Sequence, residues 1–251
     1  MPSNCFLIPI YNHDDTITAT VRTLSEYQLP VIIVDDGSDE RTRQVLQQLQ
    51  QDEPLVQLLT LDKNIGKGGA VMAGMRHAVE QGYTHALQVD ADGQHDLADI
   101  PALWALSAAN PEALISGLPL YDDSIPRSRL IGRYITHVWV WIETLSFSVK
   151  DSMCGFRVYP LANCIELIDT SRLGKRMDFD TEIMVRLYWR DISVLFLPTR
   201  VIYPQGGRSH FKLLQDNWLI SKMHTRLFFG MLWRLPGLLS FKWRRAHATG
   251  S

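Results

Sequence analysis

Cysteine is scarce in this chain. Cys5, Cys154 and Cys164 are the only three in 251 residues, their spacing is unpaired, and any disulfide would leave one over. That excludes a disulfide-stapled scaffold and points to a reducing compartment. Long apolar runs are also missing. The most apolar stretch, Leu227–Phe241, is interrupted by Arg234 and Pro236, and it falls short of the ~20 residues that a membrane-spanning helix needs. The N-terminus lacks a basic segment, apolar core and small-residue cleavage site in succession, so no secretory signal is expected. The glycine-rich loop Asn64–Ala70 matches neither Gly-x-Gly-x-x-Gly nor the P-loop pattern, which disfavours a dinucleotide or P-loop site. Net charge is nearly absent too: 25 basic against 27 acidic residues give −2, which argues against a general nucleic-acid binder.

What is present is unevenly distributed. Residues 1–204 hold 17 basic and 26 acidic side chains, and residues 205–251 hold eight basic side chains against Asp216 alone. The long N-terminal part is suited to cations, and the tail is suited to anions. With 46% apolar residues the chain has ample material for one buried α/β core.

Through residue 118 two hydrophobic periods alternate. Short β-rich runs at Cys5–Pro9, Val31–Val34, Val56–Leu61, His85–Val89 and Leu114–Ser116 are separated by helix-like stretches at Asp15–Tyr27, Glu40–Gln51, Gly69–Gln81 and Leu97–Ala109. Continuous apolar strands between helices predict a mostly parallel, Rossmann-like sheet covered on both faces, with ligands beyond the carboxyl ends of the strands. Further helices are expected at Arg127–Val149, Leu161–Ile168 and Phe179–Trp189, strands at Gly155–Tyr159 and Ser193–Ile202, and a basic aromatic helix from about Phe211 to Trp233.

Polar clusters stand at the expected strand ends. Asp90-Ala91-Asp92-Gly93-Gln94-His95 places two carboxylates and a neutral oxygen in one rhythm, a donor set suited to Mg²⁺ or Mn²⁺. The competing reading is a set of acidic turn residues that cap the next helix. Asp35-Asp36-Gly37-Ser38 ends the second strand in the same way; its carboxylates suit base or ribose hydrogen bonds, and Ser38 or Asp39 suits a cap. His95 either closes the metal loop or begins a helix.

Together these motifs resemble an inverting family-2 glycosyltransferase of the GT-A fold, specifically the polyprenyl- or dolichyl-phosphate mannosyl and glucosyl synthase branch. The resemblance is carried by Pro9-Ile10-Tyr11-Asn12, Asp35–Ser38, Asn64–Ala70, Asp90–His95, Asp151–Arg157 and Phe179–Glu182, over roughly residues 3–210. It implies a UDP- or GDP-sugar in the crevice, contacted by Pro9, Tyr11, Asn12, Asp35, Asp36, Lys67, Asp90 and Ala91. It also implies a divalent cation on Asp90, Asp92 and Gln94. A phosphate acceptor needs no general base; a hydroxyl acceptor needs one, with Asp180 or Glu182 as candidates, unless these acids only serve their own helix. The chain departs from the branch at His13, where a glutamate is common, and at Gly117–Tyr121, which lacks the branch's arginine. Arg127, Arg129 or Arg133 then supplies the phosphate contact, and Arg208-Ser209-His210 resembles the branch's Ser-Lys contact.

The resulting expectation is a catalytic domain over residues 1–210 and a basic aromatic tail over 211–251. That tail would lie on an anionic membrane surface or fold back on the domain. The activity expected is hexose transfer to a lipid-linked acceptor at the cytoplasmic face of a membrane, with no nucleic-acid partner. The rivals are a sugar-phosphate nucleotidyltransferase, whose Gly-rich N-terminal loop is missing here, and a non-catalytic membrane-docked scaffold.

Overall fold

A computed structural model of the chain describes residues 3–121, 127–201 and 212–248. Its first half follows the alternating periods. Strand β1 (Asn4–Ile10), helix α1 (Ile17–Ser25), β2 (Val31–Asp35), α2 (Glu40–Asp52), β3 (Val56–Thr60), α3 (Lys67–Glu80) and β4 (His85–Gln88) come first. They are followed by α4 (Ile100–Ala109) and β5 (Leu114–Leu120). Then come α5 (Arg127–Thr144), β6 (Arg157–Pro160), α6 (Leu161–Thr170), α7 (Phe179–Trp189), β7 (Val194–Arg200) and α8 (Leu213–Ala248).

The strands form one seven-stranded sheet in the order β3-β2-β1-β4-β6-β5-β7. The strands with the most continuous apolar runs, β1 and β2, lie inside it, and the half-polar β3 and β7 take the edges. Side chains alternate across the pleat. Cys5 and Leu7 of β1 face the same side as Ile32 and Val34 of β2, against α3, α6, α7 and α8. Phe6, Ile8 and Ile10 face the other side with Val31 and Ile33, against α1, α2 and α4. The parallel register Phe6↔Val31 through Ile10↔Asp35 keeps these rows aligned. Burying each such side chain contributes about 1.5–3 kcal/mol, which is why two-sided apolar strands occupy the centre.

One strand runs against the others. β6 is antiparallel to both β4 and β5, whereas β5 and β7 are parallel. The cause is connectivity: α5 returns to the carboxyl edge of the sheet, so β6 starts there and runs back. The segment before it, Asp151–Phe156, is thereby laid across the site edge.

Two helices differ in length from expectation. α5 stops at Thr144 instead of reaching Val149, because Leu145 takes a left-handed conformation (φ 51°) and Ser146 Oγ accepts from the Ser148 backbone N–H, turning the chain. α8 continues well past Trp233, through Pro236, to Ala248. Met231 and Leu238, on either side of the proline, are both buried, and packing along that line holds the helix where the missing proline N–H would interrupt it. α8 therefore folds back on the catalytic body by one face, with Met223 and Leu227 in the core, and leaves its other face exposed.

Candidate active site

The carboxyl ends of β1, β2 and β4 converge with the first turns of α3 and α7. At the end of β1, Asn12 adopts a left-handed conformation (φ 55°). Its backbone N–H donates to Ser38 Oγ at 3.1 Å, and its Oδ1 accepts from the Asp39 N–H at 2.8 Å. Asn12 thus ties the first polar loop to the second. Asp35 is buried and its Oδ1 accepts from the Ser38 N–H at 2.9 Å; Asp39 is the cap, accepting from the Thr42 N–H at 2.9 Å. Pro9 is an internal β1 residue in register with Val34, and Tyr11 is half-buried at the strand's end.

Asp36 reaches across to the glycine loop. Its two oxygens accept from the backbone N–H groups of Ile65 at 2.7 Å and Gly66 at 2.9 Å. Burial pushes this carboxyl above its ordinary range, against the pull of the two N–H groups. Gly66 holds a positive φ of 96°, and a Cβ there would lie 2.3 Å from the Lys175 carbonyl oxygen, so only glycine fits this loop. Asp36 and Gly66 together fix where α3 begins, and therefore where Lys67 points.

Lys67, the first residue of α3, joins the two halves of the site. Its Nζ lies 2.8 Å from Asp90 Oδ2 and 3.1 Å from Asp180 Oδ2. Burial alone would lower the lysine pKa, but the two carboxylates outweigh it and hold the ammonium charged. Burial would likewise raise Asp90, and the nearby Lys67 and His95 reverse that, holding it well below the usual carboxylate range. Asp90 is held from behind as well. Its Oδ1 accepts from Gln88 Nε2 at 2.9 Å, and Gln88 Oε1 accepts from the Tyr159 hydroxyl at 3.2 Å. Gly155, from the segment that β6 lays across the edge, abuts the same carboxylate; a Cβ there would be 2.5 Å from Asp90 Oδ2.

Beyond Asp90 the loop is tight. Asp92 is half-buried and its Oδ1 accepts from the Gln94 backbone N–H at 3.1 Å, and the Thr16 hydroxyl donates to the Ala91 carbonyl. His95 neither begins a helix nor projects outward. It stacks on Phe156 with ring centroids 4.8 Å apart and sets Nε2 3.5 Å from Asp90 Oδ2. A cleft of about 330 Å³ opens between α1 and this loop, lined by Thr16, Thr20, Asp90, Gly93 and His95 among others.

The two acids of α7 separate. Asp180 lies in the first turn, 5% exposed, with Oδ2 on Lys67 and Oδ1 buried without a hydrogen-bond partner among the described residues. Glu182 is fully buried and turned away from the crevice. It accepts from Arg186 Nε at 2.8 Å, from the Gly174 N–H at 2.8 Å and from Arg226 at 2.6 Å. Two residues along a helix are about 200° apart, so both acids cannot face one crevice; Glu182 holds α7 to α8, and Asp180 alone borders the site.

Of the arginines, Arg133 is committed to Asp151 through a bidentate pair of 2.6 and 2.8 Å. The Arg129 backbone lies within α5, its side chain lies outside the described residues, and so does all of Ser209. Two side chains that brace the site, Arg157 at the end of the Asp151–Arg157 motif and Gln88 outside every motif, were given no role from the sequence. Arg157 is completely buried and donates to the carbonyls of Ser152 (2.7 Å) and Asp180 (2.6 Å), clamping the first turn of α7 to the Asp151–Phe156 segment. Gln88 was visible only as a polar residue inside an otherwise apolar strand.

Comparison with known proteins bears on the family and the fold. The family model for glycosyl transferase family 2 matches residues 5–162, from β1 into α6. The chain is 27% identical over 229 residues to dolichyl-phosphate beta-glucosyltransferase ALG5C of Trichomonas vaginalis, covering 83% of this chain and 66% of that one. The match spans about two thirds of that relative's own length. It is 26% identical over 213 residues to the undecaprenyl-phosphate mannosyltransferase of Micrococcus luteus, covering 81% of this chain and 85% of that one. Among solved structures it resembles in fold the mannosyltransferase PcManGT from Pyrobaculum calidifontis in complex with GDP-Man and Mn2+. That match has a TM-score of 0.57 and 17% identity over 100% of this chain and 76% of that chain. S. aureus TarS 1-349 in complex with UDP-GlcNAc gives a TM-score of 0.60 at 15% identity, over 90% of this chain and 66% of that chain. With its GT-A sheet and the family match running through every strand end that builds the crevice, the chain belongs to glycosyl transferase family 2.

Proposed function

We propose that this glycosyltransferase moves a hexose from a UDP- or GDP-linked donor to a polyprenyl-type lipid phosphate in a single, inverting displacement. The observation that carries the reading is the Lys67 bridge between Asp90 and Asp180, at the point where the strand ends meet. A fixed ammonium between two carboxylates offers a cation to the donor's diphosphate and holds Asp90 ionised before the donor arrives. The names of the relatives, which act on dolichyl and undecaprenyl phosphate, support the acceptor class.

The residues at Asp90–Gln94 fit a hard divalent cation, Mg²⁺ or Mn²⁺, in the chemistry of their donors, since each offers oxygen. Both Asp90 oxygens already hold a hydrogen-bond donor, Lys67 or Gln88. The side chains of Asp92 and Gln94 would therefore carry most of the coordination. When bound, the cation would offset the charge that builds on the departing nucleoside diphosphate.

The remaining roles belong to this chain's own groups. Asp180 Oδ1, buried and unpartnered among the described residues, is positioned to accept a sugar hydroxyl. Lys67 meets the diphosphate, and the stacked His95 and Phe156 close the site beneath Asp90. Water is kept from the anomeric carbon by that wall, and the lipid phosphate attacks without a general base because it is already anionic. Tyr11 and Asp35 lie on the base side. Ser209 and Arg129 are the proposed acceptor-phosphate contacts. The basic tail beyond residue 210 would hold the enzyme peripherally on the anionic inner face of the membrane.

A panel of UDP- and GDP-hexoses scored by thermal shift tests the donor side, because stabilisation tracks affinity by mass action. Stabilisation by one nucleotide class in the presence of Mg²⁺ or Mn²⁺ supports the reading. No shift with any donor contradicts it.

A further inference from the structure

Three carboxylates border the crevice, Asp90, Asp92 and Asp180, and one ammonium stands among them. Lys67 Nζ lies 2.8 Å from Asp90 Oδ2 and 3.1 Å from Asp180 Oδ2. Asp92 makes no ion pair among the described residues and gives its Oδ1 to the Gln94 backbone N–H. The lysine also stands against local preference. It is the first residue of α3, where the helix dipole presents its positive end and favours acids, yet no acid lies in that first turn. Lys67 is held by the crevice acids and not by its own helix.

Asp90 has one oxygen left for a cation. Its Oδ1 accepts from Gln88 Nε2 at 2.9 Å, and Gln88 is fixed in turn by the Tyr159 hydroxyl at 3.2 Å. Gly155 backs both oxygens so closely that not even a Cβ would fit, and the carboxylate cannot turn toward it. Oδ2 is therefore the oxygen that a cation would take. Lys67 covers it, and His95 Nε2 lies 3.5 Å from the same atom.

We propose that Lys67 is a built-in counter-ion for this loop. It holds Asp90 Oδ2 until a divalent cation takes that oxygen over, and ammonium and cation exclude one another there. The inference deepens the cation reading of Asp90, Asp92 and Gln94 and rests on it. Two cations on one largely buried oxygen repel through a medium that screens far less than water, so they do not share it. The ammonium has somewhere to go. It already meets Asp180, so it can leave Asp90 without leaving the crevice, and its flexible four-carbon stem allows the swing. The two carboxylates account for two of its three N–H donors, which leaves one for a diphosphate oxygen.

Such an exchange sets when the cation binds. Without nucleotide the lysine opposes the cation, and divalent binding is weak. A nucleoside diphosphate offers the displaced ammonium a new partner, so nucleotide and cation strengthen each other by the same factor. Lys67 thereby ties cation loading to donor arrival. In the meantime it spares the protein an uncompensated carboxylate at Asp90.

The test is Mn²⁺ binding to the full chain without nucleotide, read as free Mn²⁺ by electron paramagnetic resonance, for wild type, Lys67→Met and Lys67→Gln. Lys67→Gln keeps a hydrogen-bond donor without the charge, so one variant stands in if the other melts too low to measure. Both are expected to bind Mn²⁺ at least ~tenfold more tightly than wild type. Asp92→Asn placed in either background should cancel the gain. Lys63→Met, which removes an exposed charge from the preceding loop, should change binding less than ~twofold. Melting temperature gives a second readout that does not depend on transfer: Mg²⁺ alone should raise that of Lys67→Met more than that of wild type. Equal or weaker Mn²⁺ binding in the Lys67 variants overturns the proposal, and so does an equal gain in Lys63→Met. If the Lys67 variants bind no more tightly, yet Asp92→Asn removes Mn²⁺ binding from wild type, the cation reading stands and the exchange alone fails. Absence of Mn²⁺ binding in every protein, even with UDP or GDP added, removes the cation reading as well.

Discussion

Lys67 Nζ lies 2.8 Å from Asp90 Oδ2, joining the first residue of α3 to the residue pair that follows β4. The bond spans the crevice in which the donor is proposed to sit, and the same ammonium reaches Asp180 on α7. One lysine therefore balances two acids from different elements. Replacing it by methionine leaves both largely buried without their ammonium, Asp90 keeping only His95 and the Gln88 amide beside it. Lys67→Met should cost on the order of 3 kcal/mol in urea unfolding. Adding Asp90→Asn to Lys67→Met should recover part of that loss, since the double variant removes one stranded charge. A double variant no more stable than the sum of the singles would show that the pair is not coupled.

Gly155 lets the Asp90 carboxylate sit where it does. A methyl group there would come within 2.5 Å of Oδ2 and 2.8 Å of Oδ1. Gly155→Ala should lower sugar transfer by at least tenfold, on the order of the loss that a small misplacement of a catalytic group produces. The melting temperature should fall far less, because Asp90 can move toward the open cleft. Full activity in this variant would mean that the position of Asp90 does not matter.

The Arg133–Asp151 pair makes a pH prediction. Burial would raise the Asp151 carboxyl, but His137, Arg133 and the Met153 N–H outweigh it and hold it well below its ordinary value. A carboxyl depressed in the folded state binds fewer protons there than in the unfolded chain. Its stability contribution is therefore complete above about pH 4, where the unfolded group ionises, and is lost as pH falls further toward the folded pKa. Urea unfolding measured from pH 7 to pH 3 should show an acid-side loss that flattens in Arg133→Met. An unchanged acid limb in that variant would remove the pair from the account.

Burial also silences the thiols. Cys5 and Cys154 are pushed up to about 12, and Cys164 is raised further. Thiolate is the reactive form, so the native protein at pH 8 should react with Ellman's reagent at none of its three cysteines, and the denatured protein at all three. A fast-reacting thiol in the native state would contradict this burial.

The strand and helix alternation from β1 to β5 was readable in the sequence because these strands are apolar on both faces and pack under helices on either side. The strand-end motifs were readable for the same reason, since a polar run after a buried strand must emerge at the sheet's edge. The reversal of β6 was not, because it follows from where α5 ends, and α5 ends on a left-handed Leu145 and a serine turn. The Lys67 bridge was not readable either. It joins residues 67, 90 and 180, and nothing local says that the ends of α3 and α7 meet. The motif placed Asp180 and Glu182 side by side, whereas helical spacing sends one to the crevice and the other to Arg186 and Arg226. α8 outran its expected end because buried Met231 and Leu238 hold the helix through Pro236, a tertiary effect that local sequence does not carry.

The central claim is transfer of a hexose from a nucleotide-sugar to a lipid phosphate in the Lys67–Asp90–Asp180 crevice. Its most direct test is incubation of the purified chain with radiolabelled UDP- and GDP-hexoses, a polyprenyl phosphate and Mg²⁺ or Mn²⁺, followed by counting of label in the organic phase. The account predicts lipid-extractable label from one donor class, reduced at least ~100-fold by Asp92→Asn with the melting temperature preserved. No extractable label from any donor, or full transfer by Asp92→Asn, would contradict it.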